Sequence, residues 1–264
     1  MKNTILLLLI FGLIIISCTK KADNEIKEGK VEMKMYILQQ VPFSSNLAEL
    51  EKLGDVDFNK VLDNYIQYDP KTLDKIAFKL GSDIADALVC LKAKNKTKLL
   101  EITKNLSNYG EVLGISKQFI MLSASLKPLI DEENWEQIEQ KLEEYHKEII
   151  DELYNMKSFD HVILVQFGGW IKGLEDVSYI LANEKMDKEA SKILYNKTMI
   201  VALEHDVSNL SDDNIMKQDY IKKSIFNIKS IKEIIFSSED GYFNQEQIKK
   251  IHTLSKEITT GFSK

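Results

Sequence analysis

FDHVILVQFGGWIKGLEDVSYILA, residues 159–182, is the stretch that decides the fold. Ile163, Phe167, Trp170, Leu174, Val177 and Leu181 recur at helical spacing, and apolar residues cover most of the circumference. Such a helix is buried rather than laid on a surface. Residues 70–93, PKTLDKIAFKLGSDIADALVCLKA, read the same way through Leu73, Ala77, Leu80, Ile84, Leu88 and Leu91. Each string also carries two small residues four apart, Gly81 with Ala85 and Gly169 with Gly173, where a second backbone can come close. The distance along the chain from Gly81 to Gly169 equals that from Ala85 to Gly173. This predicts two four-helix halves, 70–155 and 159–264, each opened by a central helix.

The remaining chain fits around these two. Helical periods span 97–113, 116–130, 133–155, 188–209 and 213–236, after a short helical stretch over 46–66 broken at Leu53-Gly54-Asp55. Asp69-Pro70 reads as a helix start, with Asp as cap and Pro in the first turn, and Asp187 as another cap. Asn244 opens the last helix, with Gln247 in place for a capping box. No segment after the first eighteen residues alternates with period two. The expected fold is therefore all-α, an antiparallel bundle of about eight main helices joined by short loops over 35–264.

All 35 basic residues are lysine, so no guanidinium fork is present to grip a phosphate or carboxylate from two sides. The formal net charge is −6, and no concentrated basic stretch occurs, which argues against nucleic acid as a partner. Of the two cysteines, Cys90 lies in the apolar run Ala87-Leu88-Val89-Cys90-Leu91, the setting of an inert buried thiol.

The chain begins with Met1-Lys2-Asn3, then runs apolar from Thr4 to Ile16, and reaches Ser17-Cys18 just before the polar Thr19-Lys20-Lys21. A dozen apolar residues are too few for a helix to cross a ~30 Å hydrocarbon core, which takes roughly 20. The proportions are those of a signal peptide, residues 1–17. The cysteine at the cut resembles the lipobox of bacterial lipoproteins. That resemblance implies export, a lipid on Cys18, and a bacterial source. Residues 18–34 then read as the lipidated cysteine and a charged tether. Thr19 rather than Asp follows the cysteine, which implies the outer membrane, periplasmic or surface face, in a bacterium with two membranes. With Cys18 lipidated, Cys90 has no disulfide partner.

Motifs for chemistry are sparse. Glu143-x-x-His146 is the unit used in di-iron helical bundles, but His161, His205 and His252 lack a glutamate three residues earlier. No H-E-x-x-H, C-x-x-C, G-x-S-x-G or phosphate-binding glycine loop occurs. The architecture resembles that of imelysin-like exported proteins, which are helical and internally duplicated. Their Gly-x-His-x-x-Glu motif is missing, so none of their residues is carried over. The strings KLGSDIADALVCLKAKN and FGGWIKGLE also resemble strings in uncharacterised exported helical proteins of bacteria, a likeness that brings no activity.

What stands out is polar chemistry inside the two apolar helices. Asp83 and Asp86 lie one turn apart in the first; Trp170, Lys172 and Glu175 occupy the matching region of the second. A buried carboxylate must be paired, and Lys172 is a candidate partner. These five residues are the candidate ligand-binding set. The expected function is that of a membrane-anchored exported lipoprotein whose helical domain binds a protein or small molecule, without a cofactor or metal. The alternatives are an enzyme or metal carrier using Glu143 and His146, and a structural or assembly subunit of the cell envelope.

Overall fold

The computed structural model describes residues 56–115, 121–183 and 188–264, all within one compact unit, Pro42–Lys264. The leader, the tether, Cys18, the Leu53-Gly54-Asp55 break, the start of the 116–130 helix and the Asp187 cap lie outside those residues. The described residues form an all-α bundle: α1 (Phe58–Leu62), α2 (Leu73–Lys92), α3 (Lys96–Val112), α4 (Leu122–Asp131), α5 (Trp135–Asn155), α6 (Phe159–Asn183), a 3-10 turn (Ala190–Leu194), α7 (Lys197–Val207), α8 (Asp213–Met216), α9 (Asp219–Ser237) and α10 (Gln245–Ser263). None of these helices is long and apolar enough to cross a membrane.

Helices α2 and α6 pack on each other at the centre. α3 and α5 flank α2, while α10 lies mainly along α6 and α9 along α10. Seventeen consecutive positions of α2, Ile76–Lys92, include only one that is not buried, Lys92 itself. Leu80, Leu88, Val165 and Ile171 are almost sealed from solvent, each worth about 1.5–3 kcal/mol of burial. The two helices meet at glycines. A Cβ on Gly81 would overlap the Val165 carbonyl, and one on Gly168 would overlap the Phe78 carbonyl; Gly169 faces Gly81. The close approach therefore uses Gly168, which the small-pair spacing did not single out. Phe78 then stacks flat on Phe262 at 3.7 Å between ring centroids, which seats α10 against α2.

Local chemistry explains the short loops. α2, α3, α4 and α5 all end in the same turn: the amides of Asn95, Ile115, Asn134 and Ser158 reach back to the carbonyls of Cys90, Gly110, Leu129 and Leu153. The left-handed residue at each turn is Lys94, Gly114, Glu133 or Lys157. Asn95 and Asn134 then cap the next helix at once by accepting from Lys98 N and Gln137 N. The capping box at Asn244 and Gln247 is present in both directions.

Three boundary expectations are corrected. Asp69 does not cap α2; it is exposed and bonds Lys71, and the helix starts after Thr72. The single helix expected over 188–209 is broken at Tyr195-Asn196, because Asn196 caps a new helix through Met199 N. The helix expected over 213–236 is interrupted at Lys217-Gln218. Leu73, expected on the core face, is half exposed at 47%.

Candidate functional site

The α2–α6 crossing concentrates charge in the core. From α2 come Lys79, Asp83 and Asp86, spaced four and three apart and hence on one face. From α6 come Lys172, Glu175 and Asp176. All six are between 0 and 3% exposed. Lys79 Nζ donates to Asp83 Oδ1 at 2.5 Å and to the carbonyl of Ile66 at 3.1 Å. The rings of Tyr65 and Tyr68 lie 4.4 and 5.0 Å from the same ammonium. Lys172 bonds Asp176 and lies 3.3 Å from Asp86 Oδ1. From α10, Thr259 Oγ1 donates to Glu175 Oε2 at 2.7 Å.

Four carboxylates face two ammoniums. Asp83 Oδ2, Glu175 Oε1 and Asp176 Oδ2 are buried without a hydrogen-bond partner. The electrostatics follow from that imbalance. Burial, only partly offset by Lys79, pushes Asp83 up to about 7. Burial also raises Asp86 against the pull of Lys172, and raises Asp176 well above the usual carboxylate range. Burial works against the Lys172 ammonium, yet Asp176, Asp86 and Glu175 outweigh it and hold its pKa well above normal. Asp83, Asp86 and Asp176 thus take up a proton more readily than carboxylates in water do.

One space is lined by the cluster, and a larger one lies beyond it. The inner one is a chamber of about 10 Å³ lined by Ser82, Asp86, Lys172, Glu175, Thr259 and Tyr68, among others; it has room for one water-sized particle. The outer one is a groove of about 760 Å³ between the starts of α2 and α9 and the part of α10 from His252 onward. Four lysines line it, Lys75, Lys223, Lys256 and Lys264, against Asp219 and Glu257. Lys75 lies over the Tyr220 ring at 4.7 Å, and Lys223 pairs with Glu257 at 3.2 Å. Lys256, on the groove, meets Asn64, on the chamber, at 3.5 Å, so this contact stands between the two.

The structure brings Asp83, Asp86, Lys172 and Glu175 together, with Lys172 pairing Asp86. Trp170 is not with them. It is buried on another side of α6, lining a separate small space with Leu194, Met199 and Ile200. Lys79 and Asp176 belong to the cluster and were missed, although each forms a lysine–aspartate pair four apart in an apolar helix, a spacing visible in the sequence. Thr259 and the 63–72 segment that carries the tyrosines had no such signal.

Glu143 is exposed on α5 and His146 half-buried, with burial pushing its imidazole down to about 4. Among the described residues, no group of three or more His, Cys, Asp and Glu side chains is arranged to hold a metal ion. Cys90 is a buried free thiol whose pKa is raised by that burial. Comparison of the chain with protein-family models, curated proteins and solved structures finds no match.

Proposed function

We propose that this chain is an exported lipoprotein, anchored in the cell envelope by lipid on Cys18, and that its helical domain binds a small anionic molecule in the groove of α2, α9 and α10. The observation that carries the binding reading is the groove itself. Its volume of about 760 Å³ lies within the usual range for ligand sites, and four lysines converge on it in a chain of net charge −6. The inner chamber, at about 10 Å³, is too small for an organic ligand, and none of the six buried charged residues lines the groove, so the ligand would meet the groove's own side chains. The anchor reading rests on the apolar Thr4–Ile16 run that ends at Cys18.

Two experiments test the two halves of this reading. Cells fed a palmitate analogue are expected to label the wild-type protein and not the Cys18→Ser variant, which should also move to the soluble fraction. Equal labelling of both removes the anchor. For the groove, the full chain in detergent is titrated calorimetrically with citrate at low salt. Citrate is expected to bind, at least tenfold more weakly in Lys256→Gln, with an unchanged melting temperature and a marked loss of affinity in salt. Absence of citrate binding, or equal binding of the cation spermidine, rejects the groove as an anion site.

A further inference from the structure

We propose that the groove of α2, α9 and α10 selects a hydroxycarboxylate, an anion with a hydroxyl beside its charged group, through Lys256 and His252 one turn apart on α10. The inference rests on the groove being an anion site and names the class of anion it takes.

Position is the first argument. His252 and Lys256 are four apart on α10, both are partly exposed, and both line the groove. Side chains at that spacing are neighbours, with about 5–6 Å between Cβ atoms. A carboxylate and a hydroxyl on the same or adjacent carbons can therefore reach both at once. The Lys256 ammonium touches Asn64 Oδ1 only at 3.5 Å, a long contact, and pairs with no carboxylate among the described residues. Lys223, across the groove, is instead held by Glu257 at 3.2 Å.

The protonation of His252 gives the second argument. Its Nδ1 lies 3.2 Å from the backbone carbonyl of Glu175. A carbonyl only accepts, so Nδ1 carries the hydrogen and donates it. Burial lowers the pKa of the ring, and the charges of Lys256 and Lys172 act in the same direction against the partial pull of Glu175. The imidazole is therefore neutral at pH 8, and Nε2 is an acceptor. No described residue bonds that nitrogen. A plain carboxylate placed there displaces water from Nε2 and gives it nothing in return, whereas a hydroxyl donates to it. The carboxylates of Asp219 and Glu257 also accept, but they repel an anion.

Citrate and tricarballylate test the inference. They carry the same three carboxylates on the same carbon skeleton, and only citrate has the hydroxyl. Calorimetric titration of the full chain in detergent, at pH 8 and low salt, is expected to show citrate binding about tenfold more tightly, the effect of one hydrogen bond. In His252→Phe, which keeps a ring beside Tyr179, the preference is expected to shrink to about twofold or less. Lys256→Gln is expected to weaken both ligands. The ratio of two ligands on one protein cancels any general loosening caused by a substitution. Citrate binding no tighter than tricarballylate in the wild-type chain overturns the inference and leaves the groove an anion site. So does an undiminished preference in His252→Phe, or loss of both ligands in that variant while it stays folded. If neither ligand binds the wild-type chain, the groove reading itself fails and this inference falls with it.

Discussion

Replacement of Gly168 by alanine is expected to destabilise the domain by about 3 kcal/mol, the upper end of overpacking penalties. The new methyl would overlap the carbonyl of Phe78. That obstacle is backbone in the middle of a buried helix, so it cannot rotate away as a side-chain tip would. Helices α2 and α6 must separate, and every contact along them loosens with the shift. The melting temperature should fall by roughly 6–12 °C. Gly110 is the internal control. It is also helical and buried, but a methyl there would come only within 3.4 Å of the Tyr145 hydroxyl, an ordinary contact. Gly110→Ala should leave stability unchanged or raise it by up to about 1 kcal/mol, through the lower freedom of the unfolded chain. Thermal unfolding of the two variants side by side decides the matter. Equal effects would mean that the glycine contact does not set the helix spacing.

Replacement of Lys172 by methionine is expected to cost about 3–5 kcal/mol at pH 8, the range found when one partner of a buried ion pair is removed. Methionine keeps most of the volume and removes the charge, leaving Asp86 and Asp176 to face each other. The size of the loss must depend on pH, and its sign can be worked out. Both carboxylates already have raised pKa values in the folded state. A group of that kind binds its proton more tightly folded than unfolded. Its burial is tolerated at low pH, and the fold loses stability as pH rises through the folded value. Without Lys172 both values go higher still. The deficit relative to wild type should therefore be large at pH 8 and much smaller at pH 5. Denaturant unfolding at the two pH values checks this. Taking the difference at each pH cancels groups common to both proteins, such as His146, whose lowered pKa weakens the fold in acid. A deficit that does not change with pH would show that Lys172 acts by packing alone.

The sequence made the helices legible wherever burial was nearly complete around the circumference. The apolar strings at 70–93 and 159–182 correspond to α2 and α6 within three residues at each end. It was less informative where a polar residue decides the boundary. Asn196 is an ordinary residue in a helical window, yet its side chain caps Met199 N and splits that window in two. The left-handed residues Lys94, Glu133 and Lys157 were illegible for a related reason: glycine usually marks such a turn, and here only Gly114 does. The site was half visible. Asp83, Asp86, Lys172 and Glu175 drew notice as charges in apolar helices, and Lys172 does meet Asp86. The periodicity of α6 could not separate Trp170 from Lys172 by function, although two residues along a helix point nearly opposite ways. The meeting of Glu175 with Thr259 spans too much chain for any local pattern to carry it.

The segment between α1 and α2 has a mechanical consequence. It has no regular structure, and it holds the Lys79 ammonium through the Ile66 carbonyl and the rings of Tyr65 and Tyr68. Tension arriving from the N-terminal side passes through this strip before it reaches the long helices. Displacement of this strip alone would uncover the Lys79–Asp83 pair beneath it while the contact of α2 with α6 stays in place.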